Sequence, residues 1–352
     1  MGDRPACELW RSAPPIAGRT AALARRCEDE GWDGLALNDS PSRTADPFVE
    51  IALSLSHTER LRFATAVTNP VMRHVAALGS TLAALHIESG GRVHVGIGRG
   101  DSALANLGMA PVRLAPFESY LTALQRLLAG EEIPFATARR IGTTGAAASI
   151  TGTRLHWLSR VTDRSKPLVE VAASGPKVAA IGARVGDRVK LAVGVDPVRI
   201  TAALEWMGGS GGALPSVPFA LNVPIFVHPD RASARRAIAG VVSATARFAA
   251  MSAATSAPAD GSGAGRLSSV AASYDMDHHG STTSPQALGL SDDTIDRFAV
   301  TGSPAECIEK LQALIELGPA RLHLRSGGVG VDAEANADAA RRLSNDVLPN
   351  LR

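Results

Sequence analysis

Two carboxylates stand where acids are unusual. Glu8 lies inside the apolar run Cys7–Trp10. A carboxylate buried there without a partner is costly, which marks it as a candidate for chemistry unless the run is an exposed edge. Asp101 closes the stretch Val93-His94-Val95-Gly96-Ile97-Gly98-Arg99-Gly100-Asp101. Two carboxyls in one pocket can have separated pKa values and act as acid and base. Glu8 and Asp101 are therefore the candidate catalytic pair.

The glycine turn before Asp101 has the look of a nucleotide-binding loop but matches neither common motif. G-x-G-x-x-G has Asp101 in its third place, and no G-x-x-x-x-G-K is present. The other reading is that the glycines permit a tight exit turn. Ala173-Ser174-Gly175-Pro176-Lys177 follows an apolar run and opens a helical one. Proline at the first helical position leaves the following amides free for an anion, and Lys177 adds a cation. A plain connecting loop has the same composition. Thr68-Asn69-Pro70 and Asn38-Asp39-Ser40 each end an apolar run, where ligand contacts compete with turn and capping roles. Arg73 and His74 follow closely, and either faces an acidic ligand or starts a helix. His94 reads as an interior wall residue. His278-His279 lies in a loop-like segment where adjacent side chains diverge, so no metal site is assigned. No G-x-S-x-G elbow occurs.

The elements that must position these residues alternate. Strands are expected at Cys7–Trp10, Gly34–Leu37, Leu61–Val67, Arg92–Ile97, Leu168–Ala172, Asp187–Val193, Phe219–Val227 and Arg321–Leu324. Helical patterns fill Arg19–Glu30, Pro47–Leu55, Val75–Leu85, Leu114–Leu128, a segment from Pro176, Pro197–Met207, Ala232–Ala250, Pro304–Leu317 and Ala333–Leu343. Eight such strand-and-helix units imply an α/β (β/α)8 TIM barrel over residues 1–352 as one domain. The glycine turn then falls at the C-terminal mouth. Two segments break the rhythm: Ile133–Lys166 as a hairpin insertion, and the Ser/Ala/Gly-rich Met251–Ser291 as an excursion.

Composition narrows the class. A net charge of +2 without a basic block argues against a nucleic-acid partner. No run of about 18 apolar residues suggests a membrane span. The start MGDRPACELWRSAPP lacks the pattern of a secretory signal. Cys7, Cys27 and Cys307 form no CxxC or zinc spacing, and the expected home is the cytoplasm.

Together the pieces resemble the bacterial luciferase-like flavin/deazaflavin superfamily, and within it the branch containing methylene-tetrahydromethanopterin reductase. The likeness rests on Gly31-Trp32-Asp33, Asn38-Asp39, Ala66 to His74, Ser89-Gly90-Gly91-Arg92, Gly96 to Asp101, and Ser174-Gly175-Pro176-Lys177. It is concentrated in Gly31–Gly130 and Leu168–Val193. It implies a (β/α)8 barrel, a homodimer, and F420 or FMN at the mouth. It also implies a non-prolyl cis peptide at Ala66–Val67, in a bulge supporting the ring face. Thr68 and Asn69 would then contact the ring or ribityl chain, and Gly175, Pro176 and Lys177 the phosphate. Asn38, Asp39, Gly98, Gly100 and Ser174 would complete the cofactor site. Glu8 and Asp101 match carboxylates near the reacting carbon.

Two departures stand out. Alcohol- and sugar-oxidising relatives carry histidine where Ser40 stands, and the 251–291 excursion alters the substrate pocket. The resemblance implies an F420-dependent oxidoreductase moving hydride between deazaflavin C5 and a C=N or C=C of a small molecule. The alternative is an FMN-dependent monooxygenase using O2, with a flavin reductase as partner. A cofactor-free relative keeping only the fold is the third reading.

Overall fold

The computed structural model describes residues 6–134, 151–162, 165–209, 213–252 and 274–352. Eight parallel strands form a nearly closed barrel, a TIM fold. They are β1 (Glu8–Ala13), β2 (Gly34–Leu37), β3 (Arg62–Thr65), β4 (Val95–Ile97), β5 (Val169–Ala173), β6 (Arg188–Leu191), β7 (Phe219–Val227) and β8 (Arg321–Ser326). Their order is β3-β2-β1-β8-β7-β6-β5-β4. The circle closes between β3 and β4 through two isolated bridges, Phe63 to Val93 and Thr68 to Ile97. The helices that flank them among the described residues include α1 (Thr20–Asp29), α2 (Pro47–Leu55), α3 (Val75–Glu88), α4 (Leu114–Leu128), α5 (Pro176–Val185), α6 (Pro197–Glu205), the long helix Arg231–Ser252, α7 (Pro304–Glu316) and α8 (Ala333–Arg342).

The helix starts are written in the sequence. Asp46 accepts from the Phe48 amide at 2.9 Å with Pro47 in the first turn, and Asp196 caps α6 in the same way. Ser303 and Glu306 form a capping box at α7. Each such cap is worth about 1 kcal/mol. Arg73 pairs with the same Asp46, and His74 caps α3 by accepting from the Ala76 amide. Both therefore serve helix starts.

Alternate strand residues face two environments. Leu9, Leu35, Val171, Val189, Leu221 and Leu322 belong to the apolar layer between barrel and helices. The intervening residues face the barrel axis and are largely charged: Glu8 on β1, Arg62 on β3, Glu170 on β5, Arg188 and Lys190 on β6, Arg321 and His323 on β8. Above them Trp10 packs with Ala36, Ala64 and Ala66 in a separate small cluster.

The insertion after α4 begins as expected, with Ile133–Pro134 antiparallel to Gly152–Thr153. Residues 135–150 lie outside the described residues, as do residues 253–273 of the second excursion. The chain from Tyr274 onward is more regular than its composition suggests, with short helices at Pro285–Leu288 and Asp292–Phe298. The sequence pattern also gave no sign of the helix Asp101–Ala105 or of the strand Val300–Gly302, which pairs with the end of β7.

Candidate active site

The mouth is assembled from the ends of four neighbouring strands, β2 to β5. β3 ends at Thr65 and is followed by a cis peptide at Ala66–Val67, as the resemblance implied. Beyond this bulge the Thr68 amide donates to the Gly96 carbonyl at 3.0 Å, and the Gly98 amide donates to the Thr68 carbonyl at 2.9 Å. The Thr65 hydroxyl donates to the same Gly96 carbonyl at 2.7 Å. This approach explains the glycines. A Cβ on Gly96 would lie 2.2 Å from the Thr65 carbonyl oxygen, and one on Gly98 would lie 3.0 Å from a Val67 methyl.

Next to the bulge, the Thr68 hydroxyl donates to Asp39 Oδ2 at 2.6 Å. Thr68, Asn69 and Asp39 are all buried, while Asn38, Ala66 and Val67 are half-buried. Burial pushes the Asp39 carboxyl above its ordinary value, against the Thr68 hydrogen bond. Asn69 Oδ1 accepts from the Val71 amide at 2.9 Å, fixing the side chain. Its Nδ2 is buried and has no partner among the described residues. A buried amide donor left so is costly, and a ligand acceptor at the mouth would satisfy it.

At the end of β5, Ser174 is half-buried, Gly175 buried and Lys177 exposed. Helix α5 starts at Pro176 with no side chain capping it. The first amides of such a helix have no intrahelical partner, and the helix dipole favours an anion there. The chemistry of this donor set, beside the orphan Asn69 amide, fits a phosphate-bearing flavin-type cofactor.

Asp101 begins the short helix after Gly100 and is half-buried. Burial pushes its carboxyl upward, with Arg99 and Arg247 acting against the shift.

Glu8 is elsewhere, and the expectation of a shared pocket with Asp101 is corrected. It is the first residue of β1, in register with Arg321, the first residue of β8. Because all eight strands run parallel, Glu8 lies at the closed N-terminal end, whereas Asp101 follows the C-terminal end of β4. Glu8 Oε1 meets Arg62 Nη1 at 2.6 Å, and Oε2 meets Arg321 Nη2 at 2.7 Å and the Trp10 indole N–H at 2.9 Å. Burial would raise its carboxyl, but Arg321, Arg62 and Arg188 outweigh this and hold it below its ordinary value. It is a paired floor residue. His94 belongs to the same interior. Burial and Arg321 push its imidazole down to about 3, so it is neutral at pH 7.

Sequence reasoning missed a second group of residues at the mouth. Arg325 near the end of β8, Arg247 on the long helix Arg231–Ser252, Arg43 after β2, and Tyr274 with His279 gather there. The signal was present in the period-two pattern Arg321-Leu322-His323-Leu324-Arg325, which places three basic residues on one face of a barrel strand. His279 hydrogen-bonds the Tyr274 hydroxyl at 2.7 Å, and His278 meets Asp275 at 2.6 Å. The two histidines thus face different partners.

Comparison with known proteins adds to this geometry. A 5,10-methylenetetrahydromethanopterin reductase from Methanolobus tindarius is 21% identical over 324 residues, covering 85% of this chain and 87% of the relative. The solved coenzyme F420-dependent tetrahydromethanopterin reductase from Methanopyrus kandleri superposes with a TM-score of 0.67 at 17% identity, covering 99% of this chain and all (100%) of that one. The oxygenating constituent of 3,6-diketocamphane monooxygenase from Pseudomonas putida, in complex with FMN, superposes at 0.59 with 16% identity, covering 99% of each chain. The family model described as luciferase-like monooxygenase matches residues 7–321, nearly the full length of the barrel, and the chain belongs to that family.

Proposed function

We propose that this oxidoreductase is F420-dependent and transfers hydride between the deazaflavin and a C=N or C=C of a small-molecule substrate. The observation that carries the reading is the buried Asn69 amide beside the Ala66–Val67 bulge, without a partner for its Nδ2 among the described residues. The uncapped start of α5 supports it as the phosphate end of the same site. The name of the relative that matches 85% of this chain favours F420 over FMN.

In this reading Asn38, Asp39, Ala66, Val67, Thr68, Asn69, Gly98 and Gly100 form the ring and side-chain wall. Ser174, Gly175, Pro176 and Lys177 hold the phosphate. The cofactor, when bound, supplies the hydride chemistry. Asp101 holds a proton to higher pH than an ordinary aspartate and delivers it or orients the substrate. A homodimer in the cytoplasm is part of the proposal. Among the described residues no helix is long and apolar enough to cross a membrane.

The second reading, an FMN monooxygenase needing a flavin reductase, is favoured by the neighbour in complex with FMN. Parallel titrations of the purified chain with F420 and FMN separate the two. Tight F420 and weak FMN binding supports the first. FMN preference overturns it in favour of the second, and binding of neither overturns both.

A further inference from the structure

On β8 the side chains of Arg321 and His323 are fully buried inside the barrel. Arg325 continues that alternation one step nearer the mouth, in register with Pro224 of β7. Its guanidinium therefore faces the axis at the open end. Among the described residues no carboxylate pairs with it. Burial pushes the pKa of its guanidinium down, and Tyr274 acts against that shift.

Arg247 is in the same position. Its guanidinium lies 4.9 Å over the Tyr274 ring and its Nη1 reaches Met276 Sδ at 3.3 Å. No carboxylate lies within ion-pair distance of it among the described residues, although its charge acts on Asp101. Arg43 contributes a third cation, its Nη1 donating to Asn106 Oδ1 at 3.4 Å. Burial, followed by Arg325, Arg43 and Arg247, drives His279 down to about 4, leaving it neutral at pH 7. Its neutral ring accepts from or donates to the Tyr274 hydroxyl at 2.7 Å.

Arg325 and Arg247 are half-buried and Arg43 is exposed; half-buried guanidinium groups without a counter-ion among the described residues are unfavourable in the free protein and become favourable when an anion enters. The contrast with the floor is informative: there Arg62 and Arg321 are matched to Glu8. The cluster is also separate from the α5 start, which follows β5, three strands away around the barrel.

We propose that Arg325 and Arg247, with the Tyr274 hydroxyl, hold a carboxylate or phosphate group of the substrate, so that the substrate is an acidic small molecule. The proposal deepens the oxidoreductase reading and rests on it. The anionic tail of a bound cofactor has the same chemistry, and the test distinguishes the two sources.

The test titrates the full chain with inorganic phosphate and with succinate at constant ionic strength, by calorimetry, with and without saturating F420. Wild type is compared with R325Q, R325K and R247Q, and F420 affinity is measured separately for each. The expected result is at least about tenfold weaker binding of one anion to F420-saturated R325Q and R247Q, and substantial recovery in R325K, with F420 affinity unaltered by R325Q. Equal anion binding by wild type and R325Q overturns the proposal, as does absence of binding by wild type. A tenfold loss of F420 affinity in R325Q also overturns it, by assigning the cations to the cofactor. If wild type fails to bind F420 while the anion pattern holds, the subsite stands and the F420 reading falls. Arg325 has no ion pair to lose among the described residues, so R325Q should melt with wild type. Should it not fold, equal anion binding by R247Q overturns the proposal.

Discussion

The Thr68 hydroxyl donates to Asp39 Oδ2 across the ends of two adjacent strands, 2.6 Å apart and out of contact with solvent. Thr68→Val leaves a buried carboxylate short of a donor, and about 1–3 kcal/mol of stability should be lost at neutral pH. The sign of the pH effect comes from burial. Asp39 has a folded pKa above its unfolded value, so its contribution is lost as pH rises through the folded value. Thr68→Val moves that loss to higher pH, and Asp39→Asn removes it. Denaturant midpoints measured across the acid-to-neutral range check both; identical profiles for all three proteins would sink the assignment.

Lys177 is exposed beside the uncapped start of α5. Lys177→Ala should weaken F420 binding about tenfold at low salt and less at high salt, because exposed charge is screened. Turnover at saturating cofactor should change less. Fluorescence titration at two ionic strengths reads this, and an unchanged affinity would remove the phosphate assignment.

Asp101→Asn keeps the shape of the half-buried side chain and removes its proton chemistry. Turnover should fall on the order of a hundredfold with F420 still bound. As a raised acid, Asp101 donates below its folded pKa, so activity that depends on donation declines as pH rises past it. The variant should lose that limb. Full activity in Asp101→Asn strikes the residue from the catalytic set.

Glu8→Gln tests whether Glu8 serves the barrel floor rather than the reaction. Arg321 is fully buried and would lose its nearest carboxylate. Deleting one partner of a buried pair costs about 3–5 kcal/mol, and Glu8 is partly exposed, so about 2–4 kcal/mol is expected. Glu8 is depressed in the fold, so its contribution is present above the unfolded value of about 4.3 and is lost as pH falls through the folded one. F420 affinity and turnover should survive. Lost turnover in a variant of wild-type stability would return Glu8 to catalysis.

The barrel was legible because its strands and helices are local patterns: β2, α2, α4 and β7 fall on the expected residues. The meaning of Glu8 was not local. Its partners Arg62 and Arg321 stand 54 and 313 positions away, so in the sequence it looks unpaired. The glycines of β4 were equally opaque, since what excludes a side chain at Gly96 is a carbonyl on another strand. Arg325 was hidden differently. Its alternation with Arg321 and His323 is visible, but the leucines between them dominate the strand pattern.

Trp10 separates the two ends of the barrel. The Arg321 guanidinium lies 3.6 Å from its ring centroid, and on its other contacts the indole packs with Ala36, Ala64 and the bulge residue Ala66. Trp32 is buried in the apolar layer between barrel and helices, and Trp157 and Trp206 are partly buried and pack against that layer. Of the four tryptophans, Trp10 is the one in the cluster with the bulge residue Ala66, which the proposed function places against the cofactor ring. Its emission should be quenched on loading far more than that of the other three, and Trp10→Phe should abolish most of the change. On the proposed function the chain would carry its own optical gauge of occupancy, readable before any substrate is known.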